Sequence, residues 1–400
     1  MQSRVVPTEG CVDGYVEAVA DRGRADPRLA ASPFWRPVLL AALPAAAVVL
    51  TACHYSLTEV WWLASGDRMA SFEAAAPFQY RVLLPLVVAA LHALTSVNVF
   101  TLFVLTELAA WMALVLVADR ALRAFGIATG DLARRALAMT VMVPVGVQLI
   151  IPDLRIHSLL AADGSLDFAQ WHLTALFRYV YDLPAAVFTL GLVLVLRRVV
   201  VTLDSRWLAA YLGLFTLAAL NRETTMFLVP VFFAVCWRVL DHRTLAGALL
   251  IQLVVLLVIQ SGLQWLFAEN TNPHANVPGT EYENHLRHNL GLLSQPTYLA
   301  TFLLRFGAGL YLPVLLLHRY LDPFLARTLL CFGVPFLVST LVFGRIQEHR
   351  VMVEVVPLLW LGAVQAMAAY TAHRAGRLSP DGDIRGRVGA SARIGARRAG

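Results

Sequence analysis

Long apolar blocks recur from Phe34 to Tyr370, separated by short polar stretches. A soluble core has no use for so many of them, whereas a chain that crosses a bilayer repeatedly requires them, each full span needing about 20 residues. Composition agrees, since 58% of the 400 residues are hydrophobic and only 14% are charged. The expected fold is an all-α polytopic bundle of about ten spans (nine to twelve), drawn at 36–56, 98–118, 136–152, 176–197, 207–221, 225–239, 246–266, 298–317, 326–343 and 351–371. Residues 1–35 form a separate N-terminal segment whose Glu9, Asp13, Glu17, Asp21 and Asp26 are foreign to a cleavable signal peptide, so the first block is expected to be a retained span.

Between the first two spans stands GDRMASFEAAAPFQYRVLLPLVVAALH, running from Gly66 to His92. The apolar run before His92 is too short to cross a bilayer comfortably, which predicts a juxtamembrane or re-entrant helix over 81–94. The arginines test that reading. With 81–94 not crossing, Arg120, Arg123, Arg134, Arg135, Arg197, Arg198, Arg206, Arg238, Arg243, Arg319 and Arg327 fall on the side of both termini. That excess marks the cytoplasmic face. With 81–94 crossing, the loop DRALRAFGIATGDLARR would face outward against the charge rule. The outer segments are then 57–97, 153–175, the turn at 221–224, 267–297 and 344–350.

The net charge of +6 does not mark a nucleic-acid binder, because the basic residues sit in short clusters between apolar blocks and in the tail at 372–400. That tail has no apolar period and reads as a basic disordered cytoplasmic segment, suited to anionic inner-leaflet lipid. All 32 basic residues are arginine, which suggests a GC-rich bacterial genome and hence a bacterial inner membrane. The four cysteines have neither disulfide-framework nor metal-ligand spacing.

Most unusual polar residues fall in the proposed outer segments. Asp67, then Glu59, are the candidates for a general base, with Glu73 a further acid nearby; a hydrated carboxylate paired with Arg68 is the plainer reading of Asp67. Arg81 follows Tyr80 at the mouth of an apolar helix, where a guanidinium calls for an acid or an anionic ligand. IPDLRIH places Asp153 at a membrane edge, and RYVYDLP places Arg178 and Asp182 four residues apart, within reach of one another on a helix. NRETT puts Arg222 and Glu223 between two spans with almost no linker, and GRIQEHR supplies Arg345 and Arg350 ahead of Glu354. His285 and His288 are one helical turn apart, as substrate-contact or surface residues in preference to metal ligands. Glu107 and Arg305, inside the second and eighth spans, face the interior and are possible partners.

The order of these features resembles integral-membrane glycosyltransferases of the GT-C type, especially bacterial members using polyprenyl-phosphate sugars. Asp67 stands where that family has an acid in its first outer loop, and PFQYRVLLP stands loosely for its Pro-Tyr-Tyr-Pro-Pro-like segment, with Arg81 where relatives usually have proline. The resemblance implies inverting transfer of a sugar from a polyprenyl-phosphate donor to a hydroxyl on an envelope glycan or glycolipid, at the outer face. Asp67 would take the acceptor proton, Arg81, Arg222 or Arg350 would bind the departing phosphate, and Asp153 would orient the acceptor or help hold a divalent cation such as Mg or Mn. A transporter or flippase of lipid-linked saccharide or another anion is the competing class. A lipid-linked saccharide polymerase or ligase is a third. Gradient-dependent transport, or sugar transfer by purified protein, separates the first two.

Overall fold

The computed structural model describes residues 35–75, 77–127, 130–150, 177–270, 285–344, 346 and 348–375. The described helices are α1 (Trp35–Leu57), α2 (Gly66–Ala70), α3 (Leu83–Thr95), α4 (Val99–Ala124), α5 (Asp131–Met139), α6 (Met142–Ile150), α7 (Asp182–Thr202), α8 (Ser205–Asn221), α9 (Leu228–Cys236), α10 (His242–Leu266), α11 (Leu286–Leu293), α12 (Pro296–Arg305), α13 (Tyr311–Leu316), α14 (Pro323–Phe343) and α15 (Val356–Arg374). Among the described residues, six stretches are long and apolar enough to cross a membrane: Pro37–Leu57, Val99–Ala124, Asp131–Ile150, Asp182–Thr202, His242–Leu266 and Pro323–Phe343. The chain is therefore a multi-pass helical membrane protein.

Polar residues set the helix boundaries. Asn98, Asp204, Asp241 and Asp322 each accept a backbone N–H of the following first turn, capping α4, α8, α10 and α14. Apolar side chains point outward as well as inward: Leu250, Leu253, Leu257 and Val258 of α10 are all exposed. In water such a face would be costly; against acyl chains it is the expected surface. The buried interior is built by α4, α7 and α8 in the middle of the chain and closed by α14 and α15, with Trp111, Tyr211, Phe215, Phe232, Phe332 and Phe336 fully enclosed.

Two features depart from uninterrupted spans. The block expected at 298–317 is broken: α12 stops at Arg305, a 3-10 turn covers Phe306–Gly309, and α13 restarts at Tyr311. Gly307 and Ala308 hold left-handed backbone (φ 54 and 52), and a Cβ on Gly307 would come within 2.4 Å of Leu359 Cδ1. Glycine at 307 thus suits both the left-handed dihedral, which Ala308 also adopts, and the close approach of the Leu359 side chain of α15. The block at 225–239 likewise opens with a 3-10 turn, Glu223–Phe227, before α9.

The helix expected over 81–94 is α3, of 13 residues. At 1.5 Å per residue it is about 20 Å long, against about 30 Å of hydrocarbon. It ends at Ser96 in left-handed backbone (φ 58). A two-residue parallel bridge pairs Glu59–Val60 (β1) with Phe177–Arg178 (β2), tying the chain just after α1 to the chain just before α7.

Candidate functional site

Four connections meet at one end of the bundle: the approach to α3, the start of α7, the α8–α9 turn, and the 3-10 turn His349–Glu354 that leads into α15. Each contributes charge. Asp182, in the first turn of α7, accepts from Arg222 Nη1 at 3.0 Å through Oδ1 and from Arg350 Nη1 at 3.2 Å through Oδ2. Arg222 Nε also lies 3.1 Å from Glu354 Oε1, and the Thr224 hydroxyl donates to that same oxygen at 2.6 Å. Arg350 completes its set with Glu348. Asp182, Arg222 and Glu354 are only 1%, 3% and 1% exposed, so this is a closed ionic core. An isolated charge there would be prohibitive, and the multiple pairing is what makes the burial tolerable.

Aromatic rings wall the cluster. The Arg350 guanidinium lies 3.7 Å from the centre of the Tyr179 ring and that of Arg81 lies 4.4 Å from Tyr181. Tyr179 in turn stacks on Phe78 and on Tyr181. Asn221 Nδ2 donates to the Tyr181 carbonyl at 3.2 Å, which fixes the α8 terminus against the start of α7.

Arg81 forms the rim of the cluster. Its Nη2 and Nε donate to the two oxygens of Glu223 at 2.6 and 3.1 Å, a bidentate fork, while Nη1 contacts the Tyr181 hydroxyl. The Glu223 side chain is 42% exposed, in contrast to the sealed carboxylates behind it. Burial would push the Glu223 carboxyl up, but the Arg81 charge and hydrogen bonds outweigh it and bring it down to about 2. Arg81, for its part, is held well above its ordinary value by Glu223 despite desolvation.

The structure brings together Arg81, Asp182, Arg222, Glu223, Arg350 and Glu354. Asp67 and Glu59 are placed differently. Asp67 is exposed in the first turn of α2, and Arg68 turns its guanidinium over the Trp62 ring instead of pairing with it. Two residues on, Met69 is fully buried in the same apolar cluster as Tyr179 and Tyr181, so α2 is anchored beside the charged core with Asp67 on its open side. Glu59 is exposed within β1. Tyr80 packs with Val82, Leu263 and Phe267. His285 is buried and its backbone N–H donates to the Val342 carbonyl at 3.0 Å, while His288 is exposed one turn later. Asp153 and Arg345 lie outside the described residues, as do 153–175 and residues 271–284 of the 267–297 loop.

Comparison with family models, curated proteins and solved structures finds no match.

Two pairings read from the sequence are corrected. Arg178 does not pair with Asp182: its guanidinium stacks 3.7 Å over Tyr55 and donates to the Tyr55 carbonyl at 3.1 Å, because β2 turns it toward α1. Glu107 takes His54 as its partner, with Nδ1 2.9 Å from Oε1, between α1 and α4 and buried on both sides. Nothing local announces that pair, which links residues 53 apart. Thr224 and Glu348 were also missed as members of the charged core, although both lie inside the polar hinge motifs NRETT and GRIQEHR. Among the described residues, no group of three or more His, Cys, Asp or Glu side chains is arranged to hold a metal ion.

Proposed function

We propose that the chain is a membrane glycosyltransferase that moves a sugar from a polyprenyl-phosphate donor to an acceptor hydroxyl at the outer face. The observation that carries this reading is the meeting of Arg81, Arg222 and Arg350 at one end of the bundle, beside the helix that presents Asp67. The GT-C resemblance assigns the same residues to phosphate and base. In this reading the chain crosses about ten times, α3 lies at the membrane surface, this end faces outward and the exposed arginines of the opposite end face the cytoplasm, in keeping with the positive-inside rule.

The three arginines divide the work. Arg222 and Arg350 are consumed by buried carboxylates and position the start of α7 and the turn before α15. Arg81 holds the exchangeable partner: the exposed Glu223 carboxylate gives way to the donor phosphate, which takes over the fork and leaves with the lipid. Stabilising the charge that develops on this leaving phosphate is the part of catalysis a fixed guanidinium supplies. Asp67 accepts the acceptor hydroxyl's proton as the new glycosidic bond forms and the sugar–phosphate bond breaks.

The test is transfer of labelled sugar by purified protein from a panel of polyprenyl-phosphate donors. Asp67→Asn loses transfer while retaining donor, and Arg81→Gln weakens donor affinity by tenfold or more. A folded, donor-binding protein with no transfer from any donor overturns the reading. The second reading, transport of a lipid-linked anion, draws on the broken helix at Phe306–Gly309, since unwound segments line the pathways of many transporters. Substrate accumulation in vesicles without bond cleavage would select it.

A further inference from the structure

A cleft of about 340 Å³ opens at the end of the bundle opposite the ionic core, between the start of α1 and the paired ends of α4 and α5. Its walls differ in chemistry along its length. Leu39, Leu40 and Leu43 of α1, Val115 and Leu116 of α4, and Met139 of α5 form an apolar flank. Arg120, Arg123 and Arg135 stand at its charged mouth beside Asp119. The apolar flank is continuous with the outward surface of α1, where Leu40 is 65% exposed.

The charges are unequally committed. Asp119 is already engaged by the buried Arg134 at 2.8 Å as well as by Arg123 at 2.9 Å, and Arg134 also binds Asp131 at 2.7 Å. Arg120 has only a long contact of 3.4 Å to its own helix carbonyl at Leu116, and Arg135 is exposed. The mouth therefore keeps surplus positive charge facing outward after its internal pairs are made. It also lies at the carboxyl end of α4, whose free carbonyls hold cations in place but offer an anion nothing, so the guanidinium groups must do the recognition.

A site with an acyl-compatible wall that runs into the apolar outer surface of α1, and with arginines at its rim, matches one ligand in both halves. We infer that this cleft binds an anionic phospholipid, its phosphate on Arg120, Arg123 and Arg135 and a chain laid along Leu39, Leu43, Val115 and Leu116. Free phosphate satisfies the rim and leaves the wall bare; a zwitterionic lipid fills the wall and brings its own cation to the arginines. The site is independent of the ionic core and of any activity there.

The experiment is native mass spectrometry of the full chain released from vesicles of phosphatidylcholine with phosphatidylglycerol at equal amounts. The intact chain retains phosphatidylglycerol over phosphatidylcholine by tenfold or more. The triple variant Arg120→Gln, Arg123→Gln, Arg135→Gln loses that preference. A control with the same charge removed at the same end, Arg198→Gln, Arg206→Gln, Arg243→Gln, keeps it, and both variants are first shown to match the intact chain in thermal unfolding and elution volume. Glycerophosphoglycerol, the headgroup without tails, and inorganic phosphate fail to displace the bound lipid at millimolar concentration. Equal loss in both triple variants would reduce the effect to bulk charge and overturn the site, as would displacement by inorganic phosphate. Retention appearing only after deletion of residues 1–34 would overturn it too, by making that segment the occupant.

Discussion

Asp182 is the residue on which the ionic core turns, because among the described carboxylates of that core it is the one shared by two arginines. Asp182→Asn keeps the shape and removes the charge, leaving Arg222 with Glu354 and Arg350 with Glu348. Breaking one partner out of a buried ion network costs about 3–5 kcal/mol, so thermal unfolding in detergent should fall well below that of the intact chain. Glu223 behaves differently because it sits at the rim. Its folded-state carboxyl, at about 2, lies below the ordinary 4.5, so its stabilising contribution is complete above about pH 4.5 and is lost as pH falls through about 2. The difference in melting temperature between the intact chain and Glu223→Gln should therefore be flat from pH 7 to pH 5 and shrink below pH 4. A difference that grew on acidification would contradict the Arg81 fork.

At the scale of elements, the broken segment between α12 and α13 makes the sharpest prediction. Gly307→Ala must place a methyl group against Leu359 in left-handed backbone, and should cost about 1–2 kcal/mol. Leu359→Ala in the same chain should recover the steric part but not the dihedral part, which a double-mutant cycle on thermal unfolding would separate. The apolar block at 298–317 gave no warning of this break, since Phe306 to Gly309 reads as an ordinary apolar stretch with two glycines. The positions of the other helices were legible because hydropathy reports on solvent, and the solvent is local to each segment. Side-chain partners were not. Arg178 and Asp182 have the spacing of a helical pair, but helix α7 begins at Asp182, so the rule for pairs on one helix has no helix to act on. His54 looks like an isolated polar residue in α1 until α4 brings Glu107 to it.

For the whole molecule, the two ends are chemically distinct. One end carries buried, matched charge; the other carries exposed arginines such as Arg198, Arg206, Arg243 and Arg374. Single cysteines at Asp67 and at Arg243, in a chain lacking its native cysteines, should react with a membrane-impermeant maleimide from opposite sides of the membrane, with Asp67→Cys labelled from outside intact cells. Labelling of both from the same side would overturn the proposed topology. That the charged hinges gather at one end was legible from the sequence, because the proposed alternation of spans puts each of them in a segment on the same side. Which hinge residues pair was not, because the contacts join residues 40, 130 and 168 positions apart.

Those separations also set an order of assembly. A ribosome that has just passed Arg222, the residue after α8, has delivered Asp182 and Arg222, a matched pair that can leave the translocon together. Arg350 and Glu354, in contrast, arrive only after α9 to α14 have been made. During that interval the charged end is held by apolar packing and the two pairs already delivered, Asp182–Arg222 and Arg81–Glu223, without the contacts of Arg350 and Glu354. The 3-10 turn that leads into α15 is what locks the charged end, so a chain cut short before His349 would reach the membrane as an unlatched intermediate, recognisable to quality-control proteases by its unfinished ion pairs.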